Sequence, residues 1–353
     1  MEDEIIIILY DRDSHYISAS NIEAVFFQQY KTLMFDVKQF LYSQFYLSTQ
    51  ADYIVFSCGG RWINYIIDVY HESNWAKPLY LTIFPGILVK NQLEAHISRA
   101  RCDISLVSSN VDAFYNRKIC HALGLSDNSF IWGPVWFNKS DNSSIASSAA
   151  VFYCQDEFLV DTNSFNKLYS CLISVAVNNP GWVIYIKPRN NKGDNFYTYL
   201  SSLPKLHERI VLYDRSIQHC LTYFPVHITI SSSAVIPAIS SGKSVFILKD
   251  FYSKKHYSHY FKKSKLIKYA RNIDLSSSTP PCKNWYNNNI SINPRRQEYL
   301  LKYLKGICHT NSRRPRFSNI ILVKLSCRCF IPSVFRRVQR KKIFHSLRLI
   351  GLK

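Results

Sequence analysis

Short β-branched runs alternate with helix-length stretches along this chain, and the alternation is interrupted once before it resumes. Ile5–Leu9, Tyr53–Phe56, Leu79–Ile83 and Ile104–Val107 read as strands, each ending at a turn-prone cluster. The segment from about Ser18 to Gln50 reads as helical or mixed, and Leu93–Arg101 as a helix. Strands separated by helices need crossover connections, so the sheet they form is parallel.

Residues 138–150 are small and polar without periodicity, and they fall where a chain of 353 residues would divide in two. Beyond them the alternation restarts with a strand at Val151–Tyr153. Phe165, Leu168, Tyr169, Leu172, Ile173 and Ala176 follow the helical spacing i, i+3, i+4, i+7, i+8, i+11. Asp161 or Thr162 is placed to cap that helix, and Asn178-Asn179-Pro180-Gly181 to stop it. Trp182–Ile186, Ile210–Tyr213, His227–Ile230 and Val245–Leu248 read as further strands, with helices at Ile217–Phe224 and Ala234–Ser241, the latter ended by Gly242.

The expectation is an α/β chain of two Rossmann-like, doubly wound domains facing a cleft. Residues 1–140 would form the N-terminal acceptor-binding domain, 141–150 a linker and 151–310 the C-terminal donor-binding domain. Residues 311–353 would be a basic amphipathic tail.

Charge narrows the reading of that tail. The chain carries 44 Lys and Arg against 24 Asp and Glu, a net +20, yet no acidic residue follows Glu298, and fourteen of the excess cations lie in 299–353. The body is therefore only mildly basic. In the tail, Ile331, Val334, Phe335 and Val338 share one helical face, surrounded by Arg336, Arg337, Arg340, Lys341 and Lys342. A helix of this kind lies in the headgroup plane of an anionic membrane. The start Met1-Glu2-Asp3-Glu4 lacks a basic signal-peptide n-region, so a cytoplasmic enzyme attached to the inner membrane face is expected. The alternative is a nucleic-acid-binding protein using the basic arm, but the aromatics are spread evenly rather than gathered among the arginines, and no nucleic-acid partner is expected.

In an open parallel sheet, ligands bind beyond the carboxyl ends of the strands, so the residues there are the candidates. Ser231, Ser232 and Ser233 follow one strand and precede a helix, where hydroxyls and free N–H groups suit a phosphate. Lys187-Pro188-Arg189 follows another and offers two cations to the same anion. In the N-terminal half, Asp11, Asp13 and Ser14 follow the first strand, Gly59 and Gly60 the second, and Pro85 and Gly86 the third. The glycines let backbone approach a ligand closely, and a carboxylate can deprotonate an acceptor hydroxyl.

Two spellings mislead. Gly242-Lys243-Ser244 looks like the end of a phosphate-binding loop, but Pro237 stands where the first glycine is required, and the triplet leads into a strand. Asp11-Arg12-Asp13 spells a metal motif ahead of any donor-binding unit; no metal and no cofactor is expected. The ten cysteines show no metal-ligand spacing and read as reduced thiols.

Taken together, Phe84-Pro85-Gly86, Ser98-Arg99-Ala100-Arg101-Cys102-Asp103 before the strand ending Val107-Ser108-Ser109, Lys187, Ser231–Ser233, Gly242 and Lys249-Asp250-Phe251 resemble a bacterial glycosyltransferase-like family of unknown function. They are similar to the two-Rossmann, GT-B-like fold that includes bacterial sialyltransferases and polysialyltransferases, over about Ile5 to Leu266. The resemblance implies a metal-independent, inverting transfer of a sugar from a nucleotide donor to a cell-surface polysaccharide or lipooligosaccharide. CMP with sialic acid or a related acidic sugar is the donor it favours. In sialyltransferase-like members a Ser-Ser or Ser-Thr motif and a His-Pro motif hold CMP. Here Ser231–Ser233 match the first, and Lys187-Pro188 stands in the place of the second. No Asp-Asp-Gly or Glu-Asp-Gly is present, so the base is assigned on position alone, Asp13 first and Asp11 second.

Overall fold

A computed structural model of the chain describes residues 53–56, 63, 64, 66, 67, 78–83, 93–133, 146–155, 159, 161–189, 195–252, 260–290 and 295–308. Two wholly parallel sheets organise them. The first contains β1 (Tyr53–Phe56), β2 (Leu79–Ile83), β3 (Ile104–Val107) and β4 (Ser129–Ile131), in that spatial order. Helix α1 (Leu93–Ala100) crosses from β2 to β3, and α2 (Asn110–Ala122) from β3 to β4. The two helices pack together through Ile97, Ala100, Ile119 and Cys120.

In the second half the strands and helices alternate as β5 (Ala149–Tyr153), α3 (Thr162–Asn178), β6 (Val183–Lys187), α4 (Asn195–Ser202), β7 (Ile210–Leu212), α5 (Ile217–Tyr223), β8 (Val226–Thr229), α6 (Val235–Ser240), β9 (Ser244–Leu248) and β10 (Ile267–Lys268). Their spatial order is β10-β9-β8-β5-β6-β7. The chain thus winds outward from β5 through β6 to β7, then returns to the other side of β5 for β8, β9 and β10. Successive side chains of a strand point to opposite faces, and β5 shows the consequence. Ala150 and Phe152 enter a core with α3 and α4, while Ala149, Val151 and Tyr153 enter another with α5 and α6. All five are buried, as a doubly covered central strand requires.

Of the stripe expected on helix α3, Leu168, Leu172 and Ala176 are buried and Phe165, Tyr169 and Ile173 are partly buried against the same core, which Val175 also joins. Asp161 is its N-cap, and a capping box joins the carboxylate to the Ser164 N–H at 2.8 Å. Gly242 ends the turn after α6 at φ +72°, a conformation that costs glycine nothing.

Two expected boundaries shift. Strand β5 begins at Ala149, so the last two residues of the expected linker belong to the second sheet, where Ala149 pairs with Val183. After α7 (Lys283–Asn289), the last described helix, α8 (Arg296–Cys308), lies in the stretch assigned to the C-terminal domain but packs on the first sheet. Leu300 and Leu304 meet Leu81, Ile104 and Leu106, and Arg296 donates to the Trp132 carbonyl at 2.8 Å. Among the described residues no helix is long and apolar enough to cross a membrane. The tail 311–353 lies outside the described residues.

Candidate functional site

Where consecutive crossovers leave one strand in opposite directions, the helices part and a crevice opens at the carboxyl ends. In the second sheet that point is β5/β8. Tyr153 pairs with Thr229 of β8 on one side and with Lys187 of β6 on the other. Two strand spacings, about 10 Å, therefore separate Lys187 from Thr229, two residues before the serine cluster. The fold brings Lys187-Pro188-Arg189 and Ser231–Ser233 to the same edge, on either side of the residues that follow β5.

Lys187 ends β6 and is 9% exposed. Its ammonium donates to the Pro188 carbonyl at 2.8 Å, and no carboxylate among the described residues pairs with it. Its charge is felt by Cys220, whose thiol burial pushes up to about 11 against the pull of Lys187. Such a thiol stays protonated and is no nucleophile at neutral pH. Arg189, two residues on, is exposed.

The three serines are not equivalent. Ser231 is 2% exposed, and its N–H donates to Oε1 of Gln155 at 2.7 Å while its hydroxyl lies 3.4 Å from the same oxygen. Ser232 and Ser233 are half-buried. The Ser232 N–H donates to Thr229 Oγ1 at 3.1 Å, and Ser232 Oγ accepts from the Ala234 N–H at 3.2 Å. None of the serines caps the helix that follows: α6 is six residues long, its N-cap is Ala234, and no side chain caps it.

Gln155 was not among the residues singled out from sequence. Nothing in its type marks it; its signal was position, two residues past the end of the strand from which the sheet winds both ways. The candidates Asp11, Asp13, Ser14, Gly59, Gly60, Pro85 and Gly86 all lie outside the described residues.

Two other segments have structural work. Asn128 donates to the carbonyls of Arg99 and Cys102 at 3.0 and 2.7 Å, and Asp103 accepts from the Tyr80 N–H at 2.8 Å. Arg101 reaches Asn64 Oδ1 at 3.0 Å, and Asn64 in turn donates to Ser98 Oγ at 3.1 Å. The Ser98–Asp103 run is thus a polar staple at the entry to β3. Lys243, in the misleading Gly-Lys-Ser, donates to the carbonyls of Thr222 and Phe224 at 3.2 and 2.9 Å, ahead of β8 and β9 and away from their carboxyl ends.

A family profile described as "Putative glycosyltransferase (DUF6716)" matches residues 16–305, well over half of the chain. No curated protein matches in sequence. Among solved structures, a Listeria monocytogenes protein described as a "putative UDP-N-acetylglucosamine 2-epimerase" is similar, with 10% identity, 90% of this chain and 91% of that one covered, and a TM-score of 0.58. S. aureus MnaA, solved with UDP, shows 10% identity, 80% coverage of both chains and a TM-score of 0.53. Arabidopsis thaliana UGT89C1, complexed with UDP-L-rhamnose, shows 10% identity, 93% and 92% coverage and a TM-score of 0.51. At such identities the likeness is one of fold, and the fold is GT-B-like: two Rossmann-like units in one chain.

Proposed function

The chain belongs to this glycosyltransferase family, and from that premise we propose that its nucleotide-sugar donor binds at the carboxyl edge of the second sheet. The observation that carries the reading is Lys187. A cation nine-tenths buried, with no carboxylate beside it among the described residues, is costly unless an anion completes it. It stands one strand from the β5/β8 switch point, where the Ser232 and Ser233 hydroxyls can donate to phosphate oxygens. A donor phosphate satisfies both. In the reaction Lys187 neutralises charge as the nucleotide leaves, and Arg189 approaches the same phosphate from the open side.

The acceptor, a glycan or glycolipid, is proposed to lie against the N-terminal loops holding Ser14, Gly59, Gly60, Pro85 and Gly86. Asp13, or failing it Asp11, takes the acceptor proton. The family resemblance favours a CMP donor, whereas two of the proteins similar in fold were solved with UDP or a UDP-sugar. The nucleotide is therefore the first thing to measure.

Calorimetry with CMP, CDP, UDP and GDP should show one nucleotide binding the wild type well above the others. Ser232→Ala and Lys187→Ala should each weaken it, since a charge-assisted hydrogen bond contributes about 1.5–3 kcal/mol. Equal affinity in all three proteins would remove the site from this edge.

A further inference from the structure

We infer that Gln155 is the positioning residue of the donor site, fixing the turn after β8 so that Ser231 belongs to the framework while Ser232 and Ser233 meet the ligand. The inference rests on the donor-site reading above and adds to it the residue that shapes the site. Its basis is a convergence of hydrogen bonds on one atom. The Gln155 Oε1 accepts from the Ser231 N–H at 2.7 Å and from the Thr229 hydroxyl at 3.2 Å, with the Ser231 hydroxyl 3.4 Å away. Gln155, Thr229 and Ser231 are all buried.

The bonds continue from there. Having given its proton to Gln155, the Thr229 hydroxyl accepts the Ser232 N–H, and Ser232 Oγ accepts the Ala234 N–H. Three of the four successive N–H groups of the turn, at 231, 232 and 234, are thereby held by side chains. Among the described residues, the Ser233 N–H has no internal acceptor. The turn therefore presents one backbone donor and the hydroxyls of its two half-buried serines, which is the donor set a phosphate takes.

Gln155 can do this because of where it stands. It follows β5, the strand between β6 and β8, and its amide bridges the switch point that would otherwise be open between β5 and the turn. An amide suits the task better than a carboxylate. It offers the same acceptor without placing a negative charge beside an anionic ligand.

The test separates the acceptor from the charge. Gln155→Met removes the acceptor at similar volume; Gln155→Glu keeps it and adds a charge. In the unliganded full chain, hydrogen exchange of the 229–236 segment should quicken by about tenfold or more in Gln155→Met and stay near wild type in Gln155→Glu, because exchange follows local opening. Thr229→Val, which cuts the relay to Ser232 alone, should also speed exchange and stands in if the methionine variant does not fold. Nucleotide affinity should fall by about tenfold or more in both Gln155 variants and in Ser232→Ala, but less than about twofold in Ser231→Ala.

Wild-type exchange in Gln155→Met and Thr229→Val would overturn the positioning role. So would fast exchange with undiminished affinity, or a Ser231→Ala loss as large as that of Ser232→Ala. A wild type that binds none of the nucleotides would overturn the donor-site reading instead, and the exchange result would still decide whether Gln155 holds the turn.

Discussion

Two buried side chains of the second sheet look like catalytic groups and are not. His227 on β8 is fully buried, with Nε2 donating to the Phe224 carbonyl at 3.1 Å and Nδ1 accepting from the Tyr153 hydroxyl at 2.9 Å. The carbonyl can only accept, which fixes the proton on Nε2. Burial pushes the imidazole down to about 3, and the Lys243 ammonium adds to this. The unfolded chain titrates this histidine near its ordinary value of about 6.5. Between pH 3 and 6.5 the unfolded state therefore binds a proton that the folded state refuses. The stabilisation is complete above about pH 6.5 and drains away as pH falls towards 3. Relative to His227→Gln, the wild type's urea midpoint should accordingly drop between pH 7 and pH 5. At pH 7, Tyr153→Phe leaves Nδ1 buried without a donor and should cost about 1–3 kcal/mol. A wild-type midpoint for that variant would mean the pair contributes nothing.

At the level of elements, what could be read from the sequence depended on whether polar groups were kept out of the packing face. Helix α3 was plain because its stripe is purely apolar and both ends are signalled, by Asp161 and by Asn178-Asn179-Pro180-Gly181. Helix α2 was not read, and its packing face shows why. Asp112 and Asn116 are buried there, Asn116 donating to Asn128 and Ser129 at 2.7 and 2.8 Å, so no apolar period emerges. The same contrast holds for the site: Lys187 and the serines stand out by residue type, whereas Gln155 is ordinary in type and special in place. Helix α8 was missed because its cations blur its pattern and its partners, Trp132, Phe130 and the first sheet, lie more than 160 residues away. Its faces make a test. Leu300 packs against that sheet and Leu301 is 60% exposed. Leu300→Ala should destabilise by about 1–2 kcal/mol, as expected for a partly buried leucine, and Leu301→Ala by less than about 0.5 kcal/mol, judged by urea unfolding. Equal effects would detach α8 from the first sheet.

Across the whole molecule, the two halves also meet where α2 touches α7, and a carboxyl group is sealed into that junction. Asn110 Nδ2 donates to the Asn287 carbonyl at 3.1 Å, and Asp112, one turn into α2, is 3% exposed. Burial raises its carboxyl to about 7, with the Ser109 hydroxyl pulling the other way. The charge reaches the other half of the chain: it helps raise the phenol of Tyr260, itself already raised mainly by burial, whose hydroxyl donates to the Asn289 carbonyl at 2.8 Å. The direction of the pH dependence is opposite to that of His227. The folded state holds a proton between about pH 4 and pH 7 that the unfolded state has released, so stability falls as pH rises through that window and levels off above it. Asp112→Asn keeps the shape and removes the titration. Measured against that variant, the His227 contribution cancels, because both proteins carry it. The wild type and Asp112→Asn should have similar urea midpoints near pH 4, and the variant should become the more stable as pH rises towards 8. Parallel midpoints from about pH 4 to pH 8 would show that water reaches the carboxyl, and that the junction between the halves is open in solution.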